Sequence, residues 1–120
     1  MDSILKTIKK MLGPSCDYDY FDTDLIIHIN TVLFRLTQMG VGPSAGFSIK
    51  DDSEKWTDFI SDIEKIEALK TYVYLKVKLI FDPPQSSIVM TSINDMIKEL
   101  EFCLNVSAES GGKEVIQNVQ

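Results

Sequence analysis

The sequence predicts an all-α protein, a small helical bundle of about four to five helices with a long loop between the second and third helices and a flexible C-terminal arm. Three observations support this prediction. Apolar residues recur at steps of three and four in several segments, and glycine and proline separate these segments. The one isoleucine-rich segment is too long for a strand and does not alternate. With 120 residues, the chain has the size of one domain.

The first helix is predicted over residues 2–12. Its apolar residues lie on one side and its lysines on the other. Either Ser3 or Asp2 can cap its first turn, and Gly13 with Pro14 ends it. The apolar positions are Ile4, Leu5, Ile8, Met11 and Leu12.

The second helix should begin at Asp22 or Thr23 and end near Met39. Asp22, Thr23 and Asp24 supply cap oxygens and negative charge at the positive end of the helix dipole. Gly40 is a suitable stop. The apolar positions are Leu25, Ile26, Ile29, Val32, Leu33 and Leu36.

Residues 53–80 predict a short helix followed by a long one, and one continuous helix is the alternative. Ser53, after two aspartates, resembles the cap of a short helix that carries Trp56. A second start follows at Ser61, which forms a capping-box pattern with Glu64. The long helix carries Ile63, Ile66, Leu69, Val73, Val77 and Ile80 on one face.

The last helix follows a clear break at Asp82-Pro83-Pro84, because proline cannot continue a helical ladder. Asp82 is a candidate cap and Pro83 a candidate first-turn residue. The helical pattern runs from Ser87 to about Val106. Its apolar face consists of Met90, Ile93, Ile97, Leu100 and Leu104.

The composition changes after this helix, where serine and glycine replace the periodic apolar residues. We therefore divide the chain into a helical domain, residues 1–106, and a flexible arm, residues 107–120. Val115, Ile116 and Val119 are the arm residues that we expect to contact a partner and become ordered on it.

Residues 38–52 form the longest stretch without helical periodicity. Loops of this length are usually functional or disordered, and the alternation around Phe47 argues against disorder. The glycines resemble a phosphate-binding loop, but a helix precedes them and Pro43 interrupts them. We therefore expect a surface that contacts a partner, formed by Gly40, Gly42, Pro43, Gly46, Phe47 and Ile49.

The sequence contains no recognisable catalytic, cofactor-binding or metal-binding motif. His28 is the only histidine, and Cys16 and Cys103 do not have a metal-ligand spacing. The net charge of −6 disfavours nonspecific binding to nucleic acid, and no apolar run is long enough to cross a bilayer. We therefore expect no enzymatic activity and no cofactor.

Trp56 and Phe59 lie one helical turn apart. Core filling is the favoured interpretation for both. Trp56 is also a candidate interface anchor, because tryptophan is enriched among binding hot spots.

Several segments together resemble the small head–tail connector proteins of long-tailed phages and of prophages in Gram-positive bacteria. The most specific segment is Phe81-Asp82-Pro83-Pro84, together with its spacing from the tryptophan segment. Cys103 departs from the pattern, in which arginine is more common. The resemblance covers nearly the whole chain, and its segments are residues 20–30, 40–43, 56–60, 78–84 and 99–106.

The resemblance implies a structural protein of the virion that assembles in the host cytoplasm. It implies a ring of about twelve identical subunits, the closed assembly that head-to-tail contacts generate. Such a ring joins the portal of the DNA-filled capsid to the stopper or tail and extends the DNA channel without sequence-specific DNA binding. The resemblance implies no catalysis and no membrane contact.

The alternative function is that of a small helical adaptor or regulator that binds a cellular protein as a monomer or dimer. The same loop would then be its binding surface.

Overall fold

The computed structural model describes residues 3–13 and 19–117, with the side chains of the last helix described only as far as Asn105. Within these residues the only β-type pairing is an isolated antiparallel bridge between Ser3 and Lys55. The all-α prediction is confirmed. The elements are α1 (Ile4–Leu12), a 3₁₀ turn (Asp19–Phe21), α2 (Asp22–Gln38), α3 (Trp56–Phe59), α4 (Ile63–Phe81) and α5 (Ser87–Gln117).

Helix α4 is the centre of the bundle, because α1, α2, α3 and α5 all pack against it. Its buried residues therefore cover more than the single stripe of a surface helix. They are Ile66, Leu69, Tyr72, Val73, Leu75 and Val77. The side chains of Trp56 and Phe59 from α3 belong to the same core.

The predicted apolar faces form this core. In α5, Ile93, Ile97 and Leu104 are buried, and Met90 and Leu100 are half-buried. Three other predicted positions are exposed instead, namely Met11, Ile63 and Ile80. Each lies in the first or last turn of its helix, where neighbouring helices cover it less than they cover the middle turns.

Helix α1 begins at Ile4, two residues after the predicted start, and it ends at Leu12 as predicted. The Ser3 hydroxyl accepts a hydrogen bond from the Lys6 N–H, so Ser3 is the N-cap. Gly13 follows the last turn with a φ of 112°, a conformation that glycine adopts without strain.

The predicted cap of α2 is wrong. The N-cap residue is Phe21, which makes no side-chain cap hydrogen bond. The physical reason is that Asp22 is already the first helical residue, and its carboxylate binds the ammonium of Lys9 in α1. The negative charges of Asp22 and Asp24 still lie in the first turn, where they favour the helix dipole.

The ion pair between Lys9 and Asp22 connects α1 to the beginning of α2. Lys9 Nζ lies 2.8 Å from Asp22 Oδ1 and 3.6 Å from Asp19 Oδ1. Asp22 Oδ1 is buried, and this contact is an ion pair rather than a well-directed hydrogen bond. The contact with Asp22 raises the pKa of Lys9 above its usual value.

The short helix and the long helix that follows it are confirmed, but their caps differ from the prediction. In α3 the N-cap is Lys55, whose N–H donates to the Asp58 carboxylate at 2.9 Å. In α4 the N-cap is Asp62 rather than Ser61, and its carboxylate accepts from the Glu64 N–H. Aspartate performs this role as well as serine does, so the sequence pattern permitted either residue.

Helix α5 differs from the prediction at both ends. Asp82 ends α4 instead of capping α5, and the Ser86 hydroxyl accepts from the Val89 N–H in the first turn of α5. Pro83 therefore lies before α5 rather than in its first turn. The helix continues to Gln117, beyond the end predicted near Val106.

A partly buried hydrogen bond joins α4 to α5. The hydroxyl of Tyr72 donates to Glu101 Oε2 at 2.7 Å, and the tyrosine is fully buried. Burial raises the pKa of Tyr72 above its usual value, and the neighbouring carboxylate raises that pKa further, because both disfavour a phenolate.

Tyr72→Phe should lower the free energy of unfolding by about 1.5–3 kcal/mol at neutral pH, the usual contribution of a hydrogen bond to a charged group. The raised folded-state pKa also predicts an alkaline effect. Above about pH 10 the unfolded chain loses the phenolic proton while the folded chain keeps it, so stability falls by up to about 1.4 kcal/mol per pH unit.

Urea denaturation at several pH values between about 9 and 11 measures this effect. Tyr72→Phe should flatten the alkaline decline, whereas Tyr74→Phe, at a half-buried tyrosine in the same helix, should retain it. Equal declines in the two variants would show that Tyr72 is not the group responsible.

Candidate functional site

The predicted contact loop begins with a defined helix end. Gly40, with a φ of 90°, follows the C-cap of α2. Its N–H donates to the Thr37 carbonyl, and the Val41 N–H donates to the Leu36 carbonyl. This is a Schellman motif, and the buried side chains of Val41 and Leu36 provide its apolar contact.

The middle of the loop folds back onto α3. Gly42 has a φ of 86°, and a Cβ at this position would lie 2.5 Å from the Phe59 ring. The Gly46 N–H donates to the Pro43 carbonyl at 2.9 Å and closes a four-residue turn. Phe47 then packs against Phe59 with ring centroids 5.4 Å apart.

Asn30 in α2 holds the end of the loop. Its Nδ2 donates to the Ile49 carbonyl at 3.0 Å, and its Oδ1 accepts from the Ile49 N–H at 2.7 Å. One amide side chain thus satisfies both backbone groups of a buried residue, as a neighbouring strand would. The loop is therefore a fixed part of the domain.

Two acidic residues, Asp51 at the end of the loop and Glu54 just after it, stabilise turns. The Glu54 carboxylate accepts from the N–H groups of Lys50 and Asp51. The carboxylate of Asp51 accepts from the N–H and the hydroxyl of Ser53, and these hydrogen bonds lower the pKa of Asp51. Their carboxylates therefore have partners within the chain.

The structure divides the predicted loop residues into exposed and buried ones. Gly40 and Gly46 are exposed, and Gly42, Pro43 and Phe47 are half-buried. Residues 44–46, at the tip of the turn, are exposed, and residues 50–52 at the end of the loop are exposed as well. Ile49 is only 2% exposed, so its side chain supports the loop from inside. Contact of the loop with a partner stays a prediction, and among the predicted residues and their neighbours the exposed tip, residues 44–46, is available for it.

Trp56 follows the core-filling interpretation. Trp56 is fully buried, and its Nε1 donates to the hydroxyl of Thr7 in α1 at 3.1 Å. The indole therefore connects α3 to α1 within one chain. The Thr7 hydroxyl accepts the hydrogen bond of the indole N–H, which burial would otherwise leave unpaired.

The predicted arm residues lie where the side chains are not described. Val115 and Ile116 belong to the helical backbone of α5, and Val119 lies outside the described residues. Their contact with a partner stays a prediction.

The sequence patterns did not identify several large apolar side chains of the helices as exposed. Ile27 and Phe34 lie on the outer face of α2, and Ile88 and Phe102 on the outer face of α5. Each lies outside the apolar stripe that faces the core. An apolar residue outside this stripe was the sequence signal that could have identified them as exposed.

One groove of the described surface runs beside α1. The groove beside α1, about 270 Å³, is lined by Leu5 and by lysines and aspartates, several of which pair with each other. In the described part of the chain, His, Cys, Asp and Glu side chains form no metal-binding group. Among the described helices, none is both long and apolar enough to span a membrane.

The close approach at Gly42 predicts a large effect of a single methyl group. Gly42→Ala adds the strain of a positive φ, about 1–2 kcal/mol, and an overlap with Phe59 that costs about 1–3 kcal/mol more. Gly46→Ala is the matched control, because its φ of 97° is similar and nothing lies within 4 Å of the added Cβ.

Urea denaturation of both variants compares their free energies of unfolding. Gly42→Ala should be the less stable of the two. Equal losses would mean that the loop does not pack on Phe59 in solution.

Comparison with known proteins identifies the family of this chain. A family model described as phage connector protein matches residues 4–111, from the first residue of α1 into the last part of α5. Neither the curated proteins nor the solved structures contain a match to this chain. The family match therefore carries the comparison, and it covers nearly all the described elements. The chain belongs to the family of phage connector proteins.

Proposed function

We propose that this protein is the subunit of a ring that joins the portal of the DNA-filled capsid to the stopper or tail and extends the DNA channel. Membership of the connector family carries this proposal, since that family has a structural role in the virion. The proposal consists of three statements about this chain: its contacts with portal and tail proteins, its oligomeric state and the passage of DNA.

The fold suits a subunit that must have the same shape in every copy of an assembly. A ring closes only when every copy presents its surfaces at the same angle. Helix α4 packs against the four other α-helices, and the 40–52 loop is held by Asn30 and by the packing of Phe47. The tip of the loop, residues 44–46, is then a rigid projection for a neighbouring subunit or the next protein in the stack.

The charge of the subunit supports a channel through which DNA passes. The chain has a net charge of −6, which repels phosphates and opposes tight DNA binding. DNA can therefore slide past such a wall without being held.

The C-terminal arm is the proposed contact with the portal. Residues 107–120 follow the last described buried residue of α5, Leu104, so the described core does not depend on them. Binding to the portal would order this segment or fix its direction.

Removal of residues 107–120 should leave a folded protein that no longer binds the portal. The described core ends at Leu104, so the thermal midpoint should change little. Binding to the portal protein of the same genome is measured by light scattering and by electron microscopy of the rings. Full portal binding by the truncated chain would rule out the arm as the contact.

Ala45→Arg should block the contact made by the loop tip without unfolding the protein, because Ala45 is exposed in the turn. The control is Ser61→Arg, at an exposed residue between α3 and α4. Reconstituted complexes of portal, connector and stopper are counted by electron microscopy. We expect Ala45→Arg to reduce complete complexes and Ser61→Arg to leave them unchanged; equal yields would exclude the tip.

A further inference from the structure

Two helices each carry a pair of like charges one turn apart. Lys6 and Lys10 are exposed on α1, and Asp95 and Glu99 are exposed on α5. Like charges at positions i and i+4 destabilise their own helix slightly. Lys10 lies in the last turn of α1, where the helix dipole favours a basic residue. Lys6 lies in the first turn of α1, and Asp95 and Glu99 lie in the interior of α5, so the dipole of their own helix does not account for these three residues.

The acidic pair lies on the outer face of α5. This face is opposite to Ile93, Ile97 and Leu104, which are buried against the bundle. Ile88 and Phe102 share the outer face and are 77% and 70% exposed. The ion pairs among the described residues include neither Asp95 nor Glu99. The outer face of α5 thus carries two carboxylates and apolar side chains. Lys98 is exposed beside them, and no ion pair among the described residues joins it to Asp95 or Glu99.

The basic pair lies on the outer face of α1, opposite to the buried Ile4 and Ile8. Among the described residues Lys10 has no ion pair, and Lys6 has one with Asp52 at 3.6 Å. Both side chains of that pair are more than half exposed, so the contact contributes little. Met11, 37% exposed, adds an apolar residue beside the lysines.

The two faces belong to different sides of the subunit. Helices α1 and α5 both pack against α4, and they do not pack extensively against each other. A contact between two different faces of identical copies is heterologous, and its repetition produces a ring when the rotation closes.

We propose that the outer face of α5 in one copy binds the outer face of α1 in the next copy, with Asp95 and Glu99 opposite Lys6 and Lys10. Both pairs have the same spacing of one turn, about 6 Å along the helix axis, so two ion pairs form together. Phe102, Ile88 and Met11 supply apolar contact area at the same interface. This contact identifies the subunit interface of the proposed ring and therefore rests on the proposed function.

Charge reversal of either face should prevent assembly. We consider the variant Asp95→Lys with Glu99→Lys and the variant Lys6→Glu with Lys10→Glu. Each places like charges against each other in every contact of a homogeneous sample, and we expect self-association to weaken at least about tenfold. The contact should also weaken as salt rises, because the charges lie at the surface.

A mixture of the two variants provides the decisive measurement. The reversed α5 of one variant then meets the reversed α1 of the other, and the unreversed faces also match. Alternating multimers should appear in the mixture although neither variant assembles alone. Native mass spectrometry and electron microscopy measure the multimers, and circular dichroism confirms that each variant is folded.

The matched control for the α5 variant is Glu64→Lys with Glu67→Lys, which changes the net charge by the same amount and sign at exposed positions of α4. It should assemble like the unchanged protein. If the unchanged protein forms multimers and the two reversed variants form them equally well, this interface is wrong and the ring stands. If the two variants fail both alone and mixed, the pairing of these faces is also wrong. If the unchanged protein stays monomeric even with portal protein, both the ring and this interface are wrong.

Discussion

The burial of α4 is the constraint on which the rest of the structure depends. A helix that neighbours surround must present apolar residues on most of its circumference, and its few polar groups need partners inside the bundle. Tyr72 shows how the chain meets this requirement: its ring fills the core and its hydroxyl reaches Glu101 in α5. The position of α5, and with it the outer face that carries Asp95 and Glu99, follows from this packing.

The same core extends to the loop that precedes α3. Val41 and Ile49 are buried, Phe47 packs on Phe59, and Asn30 binds the backbone of Ile49. A long irregular segment therefore becomes a defined surface through ordinary burial and two hydrogen bonds. In the proposed ring this order would matter, because a segment that contacts a neighbour must have the same orientation in every copy.

The outer surface of the chain has features that folding of one copy does not require. The described bundle leaves most of the surface of Phe102 and Ile88 exposed, and the like charges of each pair on α1 and α5 repel each other. A second copy offers an explanation for all of these, since opposite charges and apolar side chains would be brought together. The chain belongs to the family of phage connector proteins, and the contact between copies is part of the ring that we propose for it.

The sequence by itself determined the helices, their order and most of the core. The positions of Ile93, Ile97 and Leu104 followed from a period of 3.6 residues, which depends only on the geometry of one helix. The tertiary structure decided which polar residue performs each task. Asp22 binds Lys9 instead of capping α2, and Ile49 is buried because Asn30, distant in sequence, holds its backbone. Such contacts depend on how elements meet in space, and no local pattern specifies that meeting.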